Sequence, residues 1–264
     1  MIQDIGEHIF DNQYHPSLPD RESYALYYED HAALVRKYPD RIEFPRFRDI
    51  ERLNEDVYED AVYLFSIDGE RYYLVEEINR ERQSHYTMEN TEIFRYAEPQ
   101  YLAFAGITGY QLHNWYQSRR FCGKCGRRMK KDSKERMLYC ESCHNMEFPK
   151  ICPAVIIGVT DGDKILMSKY AGRTYKKYAL LAGFTEIGET LEETVQREVM
   201  EEVGLKVKNI RYYKSQPWSF TDTLLMGFYC DLDGEAAITL DREELAMAEW
   251  FQRDEIPVEP ERDS

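Results

Sequence analysis

The spacing of apolar residues changes several times along this chain, and one segment in its last third repeats with helical spacing. Every fourth position of that segment is a bulky aliphatic residue: Leu191, Val195, Val199 and Val203. Such spacing puts the four side chains on one side of a helix, where they can pack on a core. Thr190 followed by Glu193 has the pattern of a capping box, and Gly204 suits the position after a helix end. The pattern therefore predicts a helix that begins at Leu191 and ends before Gly204.

Shorter apolar runs predict β-strands on both sides of this helix. Asp68-Gly69 and Asp161-Gly162 each separate two such runs, which is typical of a strand–turn–strand unit. The predicted strands are residues 61–66, 71–75, 154–160, 164–169, 207–215 and 223–231. Residues 103–115 with their flanks predict a second helix. Strands around the C-terminal helix indicate a mixed α/β sandwich.

Length and charge bound the organisation of the chain. Its 264 residues suggest two domains and a small insert, which we place at 1–112, 113–148 and 149–264. The net charge is −15, yet residues 113–150 hold 10 basic and 4 acidic side chains. An acidic protein should not bind nucleic acid indiscriminately, but this basic segment could steer anionic dinucleotides or hold an RNA 5′ end. A solvated lysine and arginine surface is the alternative. We find no repeat, low-complexity tract or membrane-spanning run in the sequence.

Four cysteines in the basic segment form two C-x2-C pairs, Cys122 with Cys125 and Cys140 with Cys143. Such paired knuckles suit tetrahedral zinc, and four thiolates close the site, so the zinc should be structural. His144 is an alternative ligand, although we favour four cysteines. Disulfides are the other alternative. No hydrophobic signal peptide opens the chain, which argues against them and predicts a cytoplasmic protein.

Three glutamates on the predicted C-terminal helix point to metal chemistry. Glu198, Glu201 and Glu202 stand at i, i+3 and i+4, so their carboxylates cluster and repel one another unless a cation is present. Carboxylate oxygens suit Mg2+ or Mn2+, which bind through a few carboxylates, waters and substrate phosphates. The alternative is a solvated acidic face, which we expect for Glu192 and Glu193.

The segment around these glutamates resembles a known motif. Residues 183–205 read G-x5-E-x7-R-E-U-x-E-E-x-G-U, where U is a bulky aliphatic residue. This run resembles the Nudix box of hydrolases that cleave nucleoside diphosphates linked to another group. The resemblance implies an α+β fold with a Nudix α/β/α sandwich and a mixed sheet. It also implies a Mg2+ or Mn2+ site on the three glutamates.

The resemblance implies roles for residues around the box as well. Glu189 and Arg197 would brace the loop and the helix, and the backbone carbonyl of Ala182 would be a metal ligand. Residues 244–251 resemble the family segment E-U-x-x-A-x-W-F, whose glutamate supplies a further metal ligand. That residue is Glu244, with Glu243 as the competitor and a surface acid as the alternative.

A second motif resembles the NADH pyrophosphatase branch of the Nudix proteins. Residues 215–225 match its S-Q-P-W-P-F-P-x-S-L-M array, except that Ser219 and Thr221 replace two prolines, Thr223 replaces the serine and Leu225 replaces the methionine. The substrate-binding residues implied by this array are Gln216, Pro217, Trp218 and Thr223. This branch also carries a zinc ribbon before the Nudix domain. The residues outside the array implied to contact substrate are Glu135, Phe148 and Phe184; core packing is the alternative for both phenylalanines.

These resemblances imply a metal-dependent hydrolase that splits NADH or NAD+ into nicotinamide mononucleotide and AMP. They also imply a homodimer. NAD-capped RNA, ADP-ribose and other nucleoside diphosphate derivatives are alternative substrates. A non-catalytic nucleotide sensor is a further alternative, which the complete box disfavours.

Overall fold

The structure is a computed structural model that describes residues 1–52, 57–78, 85–172 and 176–256. Its internal contacts divide the chain into two compact units. In the described residues, the first is Met1–Lys150 with Ser219–Thr221, and the second is Ile151–Trp218 with residues 222–256. The cysteine-rich segment thus belongs to the same compact unit as the N-terminal region. The division into three domains stays a prediction.

The first unit combines short strands with one long helix. Its described strands are β1 (Phe10–Asp11), β2 (Tyr24–Leu26), β3 (Tyr28–Glu29), β4 (Ala32–Lys37), β5 (Ile42–Glu43), β6 (Val62–Ile67), β7 (Glu70–Leu74), β8 (Thr87–Asn90), β9 (Lys130–Lys131), β10 (Leu138–Tyr139) and β11 (Met146–Glu147). Its helices are α1 (Phe47–Ile50) and α2 (Gln100–Ser118). One sheet has the order β1-β6-β7-β2, a second has β3-β4-β5 with β8 on β4, and a third has β11-β10-β9.

Two sequence predictions in this unit are confirmed. Strands β6 and β7 form the predicted hairpin, and both turn residues, Asp68 (φ +53°) and Gly69 (φ +79°), have the positive φ that a two-residue turn requires. The predicted second helix is α2, which extends three residues beyond the expected range at each end. A helix was predictable there because most of its residues are apolar and buried.

The second unit contains one six-stranded sheet and one helix in its described part. Its elements are β12 (Cys152–Asp161), β13 (Lys164–Tyr170), β14 (Leu181–Phe184), α3 (Leu191–Val203), β15 (Val207–Trp218), β16 (Thr223–Leu232) and β17 (Leu245–Gln252). The strand order is β15-β16-β12-β13-β17, with β14 paired to β12. Strands β12 and β16 are parallel, whereas the other pairs are antiparallel. The sheet is therefore mixed, as expected, and the α+β fold class is confirmed.

Helix α3 docks on this sheet through the predicted aliphatic stripe. Val195, Val199 and Val203 are fully buried, and Leu191 packs at the edge of the same cluster. The cluster includes the buried residues of β12, namely Val155, Ile157 and Val159. Full burial of a valine contributes roughly 1.5–3 kcal/mol, so this stripe holds the helix in one position on the sheet.

Candidate active site and zinc centre

Helix α3 is closed at both ends by the residues that predicted its bounds. The Oγ1 of Thr190 accepts a hydrogen bond from the Glu193 backbone N–H at 3.2 Å, and Glu193 Oε2 accepts from the Thr190 N–H at 2.8 Å. Gly204 ends the helix with a left-handed φ of +69°. The capping box and the glycine end are both confirmed. The glutamates of the helix are thus carried by a rigid element.

Two of the three candidate metal-binding glutamates are buried. Glu198 is 8% exposed and Glu202 is 3% exposed, whereas the Glu201 side chain is 58% exposed. Glutamate is almost never buried to this extent unless it has a partner. The solvated-face alternative therefore does not hold for Glu198 and Glu202, while it does describe Glu192, which is exposed.

Arg197 connects the carboxylates of the site. Its guanidinium donates to both oxygens of Glu189, from Nε at 2.6 Å and from Nη2 at 2.9 Å. Its Nη1 donates to Glu198 at 2.8 Å and to Glu201 at 2.9 Å, and its Nη2 donates to the Phe184 carbonyl at 2.9 Å. A two-pronged contact of this kind is stronger and more directional than a single one. The hydrogen bonds from Arg197 hold the pKa of Glu189 at about 2, below the ordinary value of 4.5.

Glu189 also ties the loop before α3 to the helix. Its Oε2 accepts hydrogen bonds from the Glu186 backbone N–H at 3.1 Å and from Thr194 Oγ1 at 3.0 Å. Thr194 is fully buried, and the sequence analysis did not single it out. The available signal was a hydroxyl residue beside the aliphatic stripe of the helix. Glu189 therefore holds the loop before α3 against the first turns of the helix.

Gly183 is in contact with the Glu198 carboxylate. A Cβ atom built on Gly183 would lie 1.9 Å from the Glu198 carboxyl carbon, which no real side chain could tolerate. Gly183 is part of strand β14, opposite Val155 of β12. Only glycine fits there while Glu198 keeps its position. Sequence spacing could not reveal this contact, because it depends on how helix α3 packs against strand β14.

Glu244 approaches the site from outside the helix. The Asp241 backbone N–H donates to the Glu202 carbonyl at 2.9 Å, and the Ala171 N–H donates to the Glu244 carbonyl at 2.8 Å. The chain before β17 is thus attached to the end of α3. The pKa of Glu198 is raised, mainly by burial and then by the negative charges of Glu201 and Glu244. Glu243 and Glu244 are both exposed and lie in the turn just before strand β17, where the Leu245 N–H donates to the Asp241 carbonyl at 2.9 Å, so the metal-ligand role of Glu244 stays a prediction.

The residues of the substrate array lie at one end of the same sheet. Gln216 of β15 faces Leu225 of β16, which pairs with Ala154 of β12, which pairs with Phe184 of β14. At about 4.8 Å between strands, this row is roughly 14 Å wide. Pro217 and Trp218 follow on β15 and are half-buried, and Thr223 pairs with Trp218 and is buried. Strand pairing therefore places these residues of the array at the end of β15 and β16 that lies in register with β14, which we call the β14 end of the sheet.

The exposure of the two phenylalanines excludes core packing for both. Phe184 in the second unit and Phe148 in the first are each 55% exposed. Glu135, also in the first unit, is exposed, and its backbone N–H donates to Asp132 at 2.9 Å. Roles of these three residues in substrate binding stay predictions.

The carboxylates suit a hard divalent cation by their chemistry, and two of them already share hydrogen bonds from Arg197 Nη1. Within the described residues, the four cysteines are the group of possible ligands whose donor atoms all lie within 4.8 Å of one another. Glu198 and Glu201 are bridged by the arginine instead. The residues that would hold Mg2+ or Mn2+ are Glu198, Glu201, Glu202, Glu244 and the Ala182 carbonyl, as the resemblance implies.

The cysteine cluster fits zinc closely. The Sγ atoms of Cys122 and Cys143 are 3.5 Å apart, and those of Cys125 and Cys140 are 3.4 Å apart. A tetrahedral site with Zn–S bonds of about 2.3 Å has S–S separations of about 3.8 Å. The backbone N–H of Cys143 lowers the pKa of Cys140 to about 6, which favours the thiolate. The His144 ring contacts the Tyr139 hydroxyl instead, which supports a four-cysteine site.

Comparisons with known proteins agree with both sites. The model of the NUDIX domain matches residues 150–264, and that of the NADH pyrophosphatase zinc ribbon domain matches residues 117–148. The chain is 42% identical over 152 residues to the NAD-capped RNA hydrolase NudC of Photorhabdus laumondii, a match over 58% of this chain and 59% of that protein. It is 43% identical over 152 residues to the protein of the same name from an Enterobacter species, covering 58% of each. The matched part thus spans less than two thirds of these relatives.

Among solved structures, a NUDIX hydrolase from Nitrosomonas europaea is 26% identical, with a TM-score of 0.45 over 52% of this chain and 80% of that one. No helix in the described part of the chain is both long and apolar enough to cross a membrane. The two domain matches coincide with the glutamate helix and the four-cysteine cluster. Residues 150–264 thus match a Nudix domain, which follows a match to a zinc ribbon of the NADH pyrophosphatase type at residues 117–148.

Proposed function

We propose that this protein hydrolyses the diphosphate bond of NADH or NAD+, which yields nicotinamide mononucleotide and AMP. The observation that carries the proposal is the burial of Glu198 and Glu202 on a helix that matches the Nudix domain. Burying two carboxylates is costly for the fold. Arg197 neutralises part of the charge at Glu198, and a divalent cation would neutralise the carboxylate cluster further.

Several residues would cooperate in this reaction. Glu198, Glu201, Glu202 and Glu244 would hold Mg2+ or Mn2+, which neutralises diphosphate charge and lowers the pKa of water. Glu202 is our choice for the group that accepts the proton of the attacking water. The water oxygen bonds to phosphorus as the bridging P–O bond breaks. Arg197 and Glu189 position the loop and the helix and do not touch the reacting atoms.

Substrate choice would depend on the array at the β14 end of the sheet. Trp218 offers a flat face for a base, and Gln216 offers both a donor and an acceptor. The exposed rings of Phe184 and Phe148 are available for stacking. Ser219 replaces a proline of the family array, which makes the segment less rigid and could widen substrate choice.

The experiment is a comparison of substrates with purified, zinc-loaded protein. NADH, NAD+, ADP-ribose and NAD-capped RNA are supplied separately with Mg2+ or Mn2+, and the products are quantified. Glu198→Gln and Glu202→Gln should each reduce kcat/KM by roughly 100-fold or more while circular dichroism stays unchanged. Glu192→Gln, on the exposed side of the same helix, is the matched control and should be silent. Full activity of either site variant would refute the assignment, and no turnover of any substrate would favour a nucleotide sensor.

NAD-capped RNA is a second candidate substrate. Two relatives carry the name NAD-capped RNA hydrolase, and residues 113–150 have a net charge of +6 in a chain of net charge −15. A kcat/KM for capped RNA above that for NADH would assign the function to RNA. We also propose a homodimer in the cytoplasm, which sedimentation and cell fractionation would test.

A further inference from the structure

The zinc ribbon has cations that no acidic side chain neutralises. Arg119, Lys130 and Lys131 are paired with Glu147, Glu141 and Glu76 at 3.7, 2.8 and 2.9 Å. Among the described residues, the exposed cations of the ribbon's first knuckle have no carboxylate within 4.0 Å, and these are Arg120, Lys124, Arg127 and Arg128. Unpaired positive charge concentrated on one part of an acidic protein attracts a polyanion to that place.

Part of this charge surrounds a small recess. Four cations line it, namely Arg119, Arg120, Arg128 and Lys131, together with a single acid, Glu76. Its volume is about 50 Å3. That is larger than the roughly 30 Å3 of one water and far smaller than the roughly 300 Å3 of a small-molecule pocket. The recess therefore suits a group the size of one phosphate rather than a whole nucleotide.

An exposed aromatic ring lies beside the recess. Phe121 is 63% exposed and pairs with Arg128 across a short antiparallel bridge. Directly opposed residues on such strands have Cβ atoms about 5 Å apart, so Arg128 adjoins both the ring and the recess. The bridge is held by the Cys122 N–H to the Arg127 carbonyl at 2.7 Å. An exposed ring beside unpaired arginines is the arrangement that binds unpaired bases and backbone together.

We propose that this ribbon face, formed by Arg119, Arg120, Phe121, Arg128 and Lys131, binds single-stranded RNA. One backbone phosphate occupies the recess and an unpaired base stacks on Phe121. An acidic protein segment would satisfy the charges but would leave the ring unused, and duplex RNA has no free base face to offer it. The RNA-binding activity stands independently. The use of this face to bind a capped RNA substrate rests on the proposed function.

The test is fluorescence anisotropy with full-length, zinc-loaded protein and a labelled RNA of about 12 nucleotides that carries a 5′ hydroxyl and no cap. Arg120→Gln combined with Arg128→Gln should weaken binding and reduce the salt slope by about 0.7, because both arginines line the recess that holds one phosphate and each phosphate contact on a single strand contributes about 0.7. Phe121→Ala should weaken binding about 10-fold through lost stacking. The matched control is Lys164→Gln with Lys206→Gln, two exposed lysines of the second unit, which should bind RNA as the parent does.

Three results would overturn the proposal: an unchanged affinity and salt slope in the arginine variant, an equal loss in the lysine control, or equal binding of duplex RNA by the parent. Zinc content measured on each variant shows that the ribbon is intact. The arginine and phenylalanine variants should keep the parent kcat/KM for NADH and raise KM for capped RNA. A parent that hydrolyses nothing but binds RNA through this face would refute the proposed function and leave this inference standing.

Discussion

Replacing Gly183 with alanine should displace the Glu198 carboxylate, because both groups would occupy the same space. The new methyl carbon would lie 1.9 Å from the carboxyl carbon, and ordinary contact begins at 3.4 Å, so the carboxylate must move by at least 1.5 Å. A misplacement of about 1 Å costs a catalytic group on the order of 100-fold in rate. We therefore expect kcat/KM for NADH to fall about 100-fold, or about 2.7 kcal/mol of transition-state stabilisation.

Stability should change less than activity in this variant. Gly183 does not have a positive φ, so alanine is not strained there, and the main loss is the 2.8 Å hydrogen bond from Arg197 to Glu198. Such a bond contributes about 1.5–3 kcal/mol when intact, and a displaced glutamate can regain water. The free energy of unfolding should thus fall by about 1–2 kcal/mol.

The assay is steady-state hydrolysis together with urea unfolding and Mn2+ titration of the same preparations. Gly123→Ala is the control, because its Cβ meets no atom within 4 Å and its φ is not positive. It should match the parent in all three measurements. Activity of Gly183→Ala within about threefold of the parent would refute the reasoning, since a moved Glu198 would then not limit turnover.

Three further predictions follow from other contacts. Arg197→Lys removes the two-pronged contact with Glu189. It should lower the free energy of unfolding by about 2–3 kcal/mol, measured by urea unfolding, and reduce activity by more than 10-fold, measured by steady-state kinetics. A variant that matches the parent would mean that this contact is dispensable. The depressed pKa of Glu189 implies a stabilisation that is fully present above pH 4.5 and is lost as pH falls toward 2, so the Tm difference between parent and Glu189→Gln should shrink over that range; a constant difference would contradict it. Cys140→Ser should lose the single bound zinc and unfold the ribbon, which atomic absorption and limited proteolysis will detect, while Cys230→Ser, in a buried cysteine outside the cluster, should keep it.

Helix α3 could be predicted to the residue because its signals are local. A capping box, a four-residue aliphatic repeat and a terminal glycine each act within a few positions of the chain, so the sequence alone contains them. The cysteine cluster was predictable for the same reason, since each C-x2-C knuckle is a local turn. Strands β12, β13, β15 and β16 were located within a few residues because apolar runs and turn residues bound them.

Other parts of the site depend on contacts that no local pattern carries. The approach of Gly183 to Glu198 exists only because β14 pairs with β12 on the side where α3 packs. The burial of Glu202 and the attachment of the Glu244 segment depend on a backbone bond from Asp241, 39 residues further on. In the first unit, strands of two to six residues are too short to show a period, and β4 pairs with β8 across more than fifty residues. The sheet that contains β4 and β8 could therefore not be derived from apolar spacing, whereas the β6–β7 hairpin and helix α2 could.

The parallel pairing of β12 with β16 also determines when the site can assemble during synthesis. Paired residues of the two strands are 71 positions apart, and the whole of α3 lies between them. A ribosome must therefore release the chain through Leu232 before the sheet beneath the helix can close. Until then α3 can bury its aliphatic stripe against only part of the sheet. A nascent chain arrested before β16 would carry the complete Nudix motif without the site that the motif builds.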